Sequence, residues 1–291
     1  LALLVGFLIV RRTGWRTVTA AIVAGALPVV LYSMWFHTAH GRYALSDSDG
    51  VFLYSRTMAF ADCEKMKPPE RLRPLCDPRP ADQRPLSQMY IWDRSSPLHR
   101  MGKDAFTPEV NEPAREFAVL AIRTQPLDYL SVVLTDFARS FSWDRQVWPD
   151  RNSYQQYEFD RINEERAPWL AAELARYDPS HEPTEIVDPY AGFLAEYQRY
   201  ARLPGTLLGL ILLGGLFGLV ARWREWGGPA LLPWTMAVAM LVIPAATAEF
   251  GHRYVLGAVP LACLAAALSL ATPRKDETRA PKPERTPTPP R

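Results

Sequence analysis

The chain has 291 residues, a formal net charge of +2 and a mean hydropathy of −0.12, averages that describe an ordinary soluble protein. The near-neutral balance, with no basic face interleaved with aromatics, excludes a nucleic-acid binder. The averages conceal a segregation, with apolar residues at both ends and polar ones in the middle, so position along the chain points to a membrane protein.

Leu1–Val10 is apolar but supplies only about half of the ~20 residues that a bilayer crossing requires. Arg11 and Arg12 end it, and a secretory signal would carry its positive residues before the apolar run. The stretch reads as the end of a membrane helix, and the chain as the C-terminal part of a larger polytopic protein. Thr17–Phe36 is uncharged and long enough for one crossing, and membrane helices tolerate its Pro28. Residues 1–36 are therefore one partial and one full membrane helix joined by a basic link.

Residues 37–202 are polar. Asp77–Pro85 and other Pro-rich stretches read as coil, too interrupted for an independent compact domain. Asn111-Glu-Pro113 predicts a helix start, with Pro113 in the first turn where its missing N–H costs nothing, and a helix running to about Thr124. Pro126 opens the next helix. Leu127, Leu130, Val133, Leu134, Phe137 and Phe141 recur along it at helical spacing, and Asp128, Ser131, Asp136 and Arg139 mark its other side. Such a helix packs on its own domain or lies flat among lipid headgroups, a layer that also suits Trp143 and Trp148. Glu158–Tyr177 and Pro189–Arg202 are further helices.

Residues 203–272 hold three apolar runs, Leu203–Ala221, Pro229–Ala248 and Val255–Thr272. Stranding Arg253 near a bilayer centre would cost about 3 kcal/mol, so the chain turns at 249–254, in the headgroup layer. Residues 273–291, rich in Pro and charge, predict a disordered tail. With the basic links placed in the cytoplasm, one orientation satisfies every span: 37–202 and 249–254 outside, 222–225 and the tail inside. The expected fold class is mainly α, a polytopic helical membrane protein. It has about four full spans, one partial N-terminal span and a large extracytoplasmic segment with amphipathic helices. The lipid bilayer is its first partner.

Cys63 and Cys76 lie close together in the external segment and predict a disulfide in an oxidising compartment. Cys263 reads as a small apolar residue in mid-span. Asp47-Ser-Asp49-Gly50 suits either a turn or the acidic pair with which some nucleotide-sugar enzymes hold a divalent cation. Two acids do not establish a metal site, so no cofactor is expected. Glu249, His252, Arg253 and Tyr254 are the sharper group. Arg253 can fork onto a phosphate, His252 can move a proton, and Tyr254 suits the water–lipid boundary. The same residues also suit a plain hairpin turn whose polar side chains snorkel to water. Trp143, Trp148, Tyr154, Tyr157 and Trp169 either stack on sugar rings or anchor and pack the segment.

Glu249-Phe-Gly-His-Arg-Tyr-Val-Leu-Gly-Ala-Val-Pro260, running into an Ala/Leu-rich last helix, resembles the ending of GT-C class membrane glycosyltransferases. In particular it resembles bacterial relatives of the protein mannosyltransferases, which use polyprenyl-phosphate sugars. Leu45–Thr57 with Ala61-Asp-Cys63, and Ala121–Leu130, resemble an actinobacterial branch of that group. The resemblance implies a helical membrane enzyme moving a sugar from a polyprenyl-phosphate-linked donor to an extracytoplasmic acceptor. In that family the catalytic acid lies in the first external loop, a region expected upstream of Leu1, so neither Asp47 nor Asp49 takes its role and the fragment alone is expected to be inactive. Arg253 and Tyr254 match the terminal motif and are the candidates near the donor. A non-catalytic envelope protein whose external segment binds or scaffolds a partner fits the same topology. A transporter fits less well, because no ionisable group sits in mid-span.

Overall fold

A computed structural model describes residues 1–102, 104–159, 168–177 and 186–271. In chain order its helices are α1 Ala2–Val10, α2 Trp15–His40, α3 Asp49–Thr57, α4 Cys63–Met66, α5 Met89–Trp92, α6 Pro108–Thr124 and α7 Pro126–Arg139. There follow α8 Arg151–Gln155, α9 Pro168–Tyr177, α10 Tyr190–Tyr200, α11 Gly205–Ala221, α12 Leu231–Thr247 and α13 His252–Leu270. No strand occurs among the described residues, and the protein is a mainly-α, polytopic helical membrane protein.

Among the described residues three helices are long and apolar enough to cross a bilayer: α2, α12 with the short turn before it, and α13. α11 adds 17 residues without a charge, about 26 Å of helix, and forms a bent pair with α10 at 53°. α11, α12 and α13 pack around Leu208, Leu212, Ala237, Leu241, Val255, Ala258 and Ala262. Small residues bring the backbones close: Gly215 faces Trp234 and Gly218 faces Ser269. Polar side chains then bond backbone where lipid offers no partner, as when the Trp234 indole donates to the Leu212 carbonyl at 2.9 Å. α1 leans on α12 and α2 on α1, and no residue in the most apolar stretch of α2 is fully buried, as suits a lipid-facing helix.

Two hydrogen bonds align the ends of the bundle. Arg11 Nη1 donates to the Glu225 carbonyl at 3.1 Å, and Arg222 Nη1 to the Leu268 carbonyl at 3.2 Å. Both basic links and the exit of α13 therefore share one end, and the 248–251 corner sits at the other.

Against expectation, the polar segment builds a compact core. Val51, Tyr54, Leu72, Leu75, Tyr90, Leu98, Val110 and Phe117 are all buried, and the Tyr54 hydroxyl donates to the Leu75 carbonyl at 2.7 Å. Short 3-10 turns satisfy the backbone of the Pro-rich stretches through i+3 bonds, which is why frequent prolines do not prevent packing. α3 crosses α6 at Gly50, where an added Cβ would meet the Asn111 carbonyl at 2.1 Å. Cys63 and Cys76 are bonded, as the sequence predicts. Replacing both with Ser is expected to cost about 3 kcal/mol through the freed loop. Thermal melting in detergent checks this.

Three boundaries differ from expectation. The first long helix of the polar segment, α6, starts at Pro108, not Asn111, so Pro108 takes the first-turn role and Pro113 lies inside. Its buried face, Ala114, Phe117, Ala118 and Ala121, is used up by the core, so α6 is not a crossing although it abuts α7 at a 101° bend. α13 starts at His252, three residues before the predicted span, so His252, Arg253 and Tyr254 form its first turn. Of Glu158–Tyr177 the structure shows a helix over Pro168–Tyr177, and residues 160–167 lie outside the described residues, as does the tail 273–291.

Candidate functional site at the membrane boundary

The corner between α12 and α13 forms the floor of a cavity of about 1100 Å³. Thr247 through Tyr254 line it from the membrane side. Asp49, Phe52, Gln88 and Trp92 line it from the polar segment, and Arg145, Trp148, Asp150, Ser153 and Tyr157 close the remaining wall. All four corner residues picked out by the sequence, Glu249, His252, Arg253 and Tyr254, face this one space.

Arg253 Nη2 donates to the Tyr254 hydroxyl at 2.9 Å, and Nη1 to the Tyr157 hydroxyl at 3.4 Å. Arg145 is stacked 3.9 Å from the centre of the Tyr154 ring and donates to the Tyr154 carbonyl at 2.6 Å. Its Nε is buried without a partner, as is the Trp148 indole N–H. The N-terminus of α13 has no side-chain cap at Gly251. Free N–H groups at a helix start carry a partial positive charge that favours an anion. The cavity thus combines two guanidiniums, Arg253 on the floor and Arg145 in the wall, with the positive end of a 19-residue helix.

Opposite charge lies just behind it. Arg56 and Asp136 are both almost fully buried and bond at 2.8 Å. Asp136 also accepts from Arg139 Nε at 3.1 Å and from the backbone N–H of Phe250 at 3.1 Å. One carboxylate therefore ties α3, α7 and the corner together. Tyr129 adds a second tie from α7, its hydroxyl donating to the Ala246 carbonyl at 3.0 Å. Glu249 points into the cavity beside this cluster, and burial, then the Asp136 charge, push its carboxyl up to about 7.

Compared with protein-family models, curated proteins and solved structures, the chain matches none. Its chemistry therefore has to be read from the geometry.

The weaker sequence candidates separate. Asp47 pairs with Arg42, away from the cavity. Asp49 sits in the first turn of α3 at the cavity rim, bonded to Arg115 at 2.6 Å and Asn111 at 3.0 Å, which hold its carboxyl below the usual range despite partial burial. Among the described residues no group of three His, Cys, Asp or Glu is placed to hold a metal. Of the aromatics, Trp148 and Tyr157 line the cavity and Tyr154 carries Arg145. Trp143 is exposed, and the Trp169 side chain lies outside the described residues. Cys263 is free and faces outward, consistent with an apolar role.

Sequence reading missed Arg145, Gln88 and Asp150. Gln88 bonds Asp150, which caps α8 through Ser153 N–H at 2.8 Å. The alternation of charge and indole in Trp143-Asp-Arg-Gln-Val-Trp148 was the available signal for Arg145. Gln88 and Asp150, far apart along the chain, carried none.

Proposed function

We propose that the chain belongs to an integral membrane glycosyltransferase that takes a sugar from a polyprenyl-phosphate donor and passes it to an acceptor outside the cytoplasmic membrane. The observation that carries this reading is one large cavity at the end of the membrane bundle, with Arg253 and the uncapped start of α13 on its floor and Arg145 in its wall. A lipid-linked phosphate lies at that depth, with its prenyl tail in the bilayer and its sugar reaching the polar walls at Gln88, Asp150 and Ser153.

In the reaction the acceptor hydroxyl oxygen forms a bond to the anomeric carbon, and the bond from that carbon to the phosphate oxygen breaks. The electron pair leaves with the phosphate, and the hydroxyl proton goes to a base that we assign to none of the described residues. Arg253 and Arg145 stabilise the charge that grows on the departing phosphate. The cavity and the disulfide share the end of the bundle opposite the basic links. That arrangement supports an extracytoplasmic site, since positive links favour the cytoplasm and disulfides an oxidising compartment. α7 lies in the headgroup layer in this orientation, with Leu127, Leu130 and Leu134 exposed outward.

The test reconstitutes the intact protein in nanodiscs and follows binding of a polyprenyl phosphate by indole fluorescence. Arg253→Ala is expected to weaken binding roughly ten- to hundredfold, the worth of about 1.5–3 kcal/mol for a charge-assisted hydrogen bond. A wild-type protein that shows no binding would overturn the proposal.

A further inference from the structure

Glu249 is an odd residue for an anion site. Its carboxylate lines the same cavity as Arg145 and Arg253, yet it makes no side-chain hydrogen bond or ion pair with the described residues. The obvious counter-ion behind it, Arg56, is already matched by Asp136, which takes Arg139 and the Phe250 N–H as well. Arg56 keeps two buried donors, Nε and Nη2, without a partner. The groups that face Glu249 come from every neighbouring element. Arg56 comes from α3 and Asp136 from α7. Arg145 and Asp150 come from the segment before α8, and His252 with Arg253 from α13. Two carboxylates stand beside it, and Arg253 is shared with two tyrosine hydroxyls.

A phosphate bound on this floor would be a further negative charge in the same partly desolvated space. Like charges sharing one site disfavour simultaneous ionisation, so a bound anion raises the carboxyl further. The cavity can relieve that repulsion without moving any backbone, because a neutral carboxyl becomes a hydrogen-bond donor to the incoming oxygen. We propose that Glu249 couples occupancy of the cavity by a phosphate anion to uptake of a proton, the anion binding while the carboxyl is neutral and being repelled when it is charged. The proposal rests on the phosphate reading of this cavity and adds a proton to it.

The sign follows from linkage. The empty site holds Glu249 at about 7, and a bound anion raises it further. Affinity is therefore full below neutrality and falls as pH rises through the free value, levelling above the bound one. The probe is a short-chain prenyl methyl phosphodiester, whose single charge is constant across the range, with dimethyl phosphate as a tail-free companion. Both are titrated into the intact protein in nanodiscs at about pH 6 and about pH 8.5. The expected result is binding about tenfold weaker at the higher pH, the same slope for both probes, and a flat profile for Glu249→Gln. Tighter binding by the tailed probe identifies a lipid as the source, and equal binding a free phosphate.

Proton uptake by the wild type, followed in weakly buffered solution as diester is added near neutrality, reads the coupling even where the Gln variant does not fold. A Glu249→Gln profile as steep as the wild type's, or binding with no uptake, overturns the coupling and leaves the phosphate site standing. A slope seen only with the tailed probe also overturns it. Failure of both probes to bind at either pH removes the site and the coupling together.

Discussion

Asp136→Ala is expected to destabilise the protein in detergent by about 3–5 kcal/mol, the largest effect of any single side-chain truncation in the site region. Its carboxylate is 3 % exposed and serves Arg56, Arg139 and the Phe250 N–H together. Removing it leaves a buried guanidinium with no acid bonded to it and frees the corner from α7. The apolar pair Arg56→Met with Asp136→Leu is expected to recover most of the loss, since a matched buried ion pair gives little net stability over a well-packed apolar one. Chemical denaturation of the two single variants and the double variant forms a cycle that measures the coupling. An Asp136→Ala protein within about 1 kcal/mol of wild type would show that Glu249 takes over Arg56, ending the role given to Asp136.

Gly205→Ala is the second. A Cβ there would lie 2.4 Å from the Ser140 carbonyl oxygen, 2.5 Å from that of Ser142 and 2.8 Å from the Phe141 carbonyl carbon. All three are backbone atoms, and Gly205 N–H itself donates to the Ser142 carbonyl at 3.0 Å, so neither partner can yield alone. Overpacking of this kind costs about 1–3 kcal/mol. It would also displace the turn three residues before Arg145, so weaker phosphate binding is expected with the lower melting temperature. Gly214→Ala on the same helix meets nothing within 4 Å and serves as the comparison, with unchanged or slightly raised stability. Equal melting of the two variants would contradict the close approach at Gly205.

The spans were legible because their cause is a run of like residues, which survives any arrangement of neighbours. The disulfide was legible for a similar reason, two cysteines near one another in a segment that the charge pattern assigns to an oxidising space. Even the corner could be placed, since the cost of immersing Glu249, His252 and Arg253 is local. What depends on distant partners was not legible. Asp136 sits at a spacing that marks the polar side of α7, yet that side faces Arg56 from a helix 80 residues earlier and is buried. Leu127, Leu130 and Leu134, on the apolar stripe, are instead the residues left outside. Gly50 read as a turn residue, but it is helical and there for the close passage of α6. The compact core of the polar segment was hidden by its prolines, whose 3-10 turns show no hydrophobic period to detect.

The double attachment of α7, through Tyr129 to the last turn of α12 and through Asp136 to the N–H of Phe250, has a mechanical outcome. In the orientation proposed above, a helix lying flat on the bilayer and bolted to the cavity floor would act as a depth gauge. Thinning or thickening of the membrane would leave the waterline level with Arg253 and be absorbed at the far end of the bundle, at Arg222 and Arg11. The proposed lipid-linked phosphate would then meet the cavity at one height in membranes of different lipid make-up.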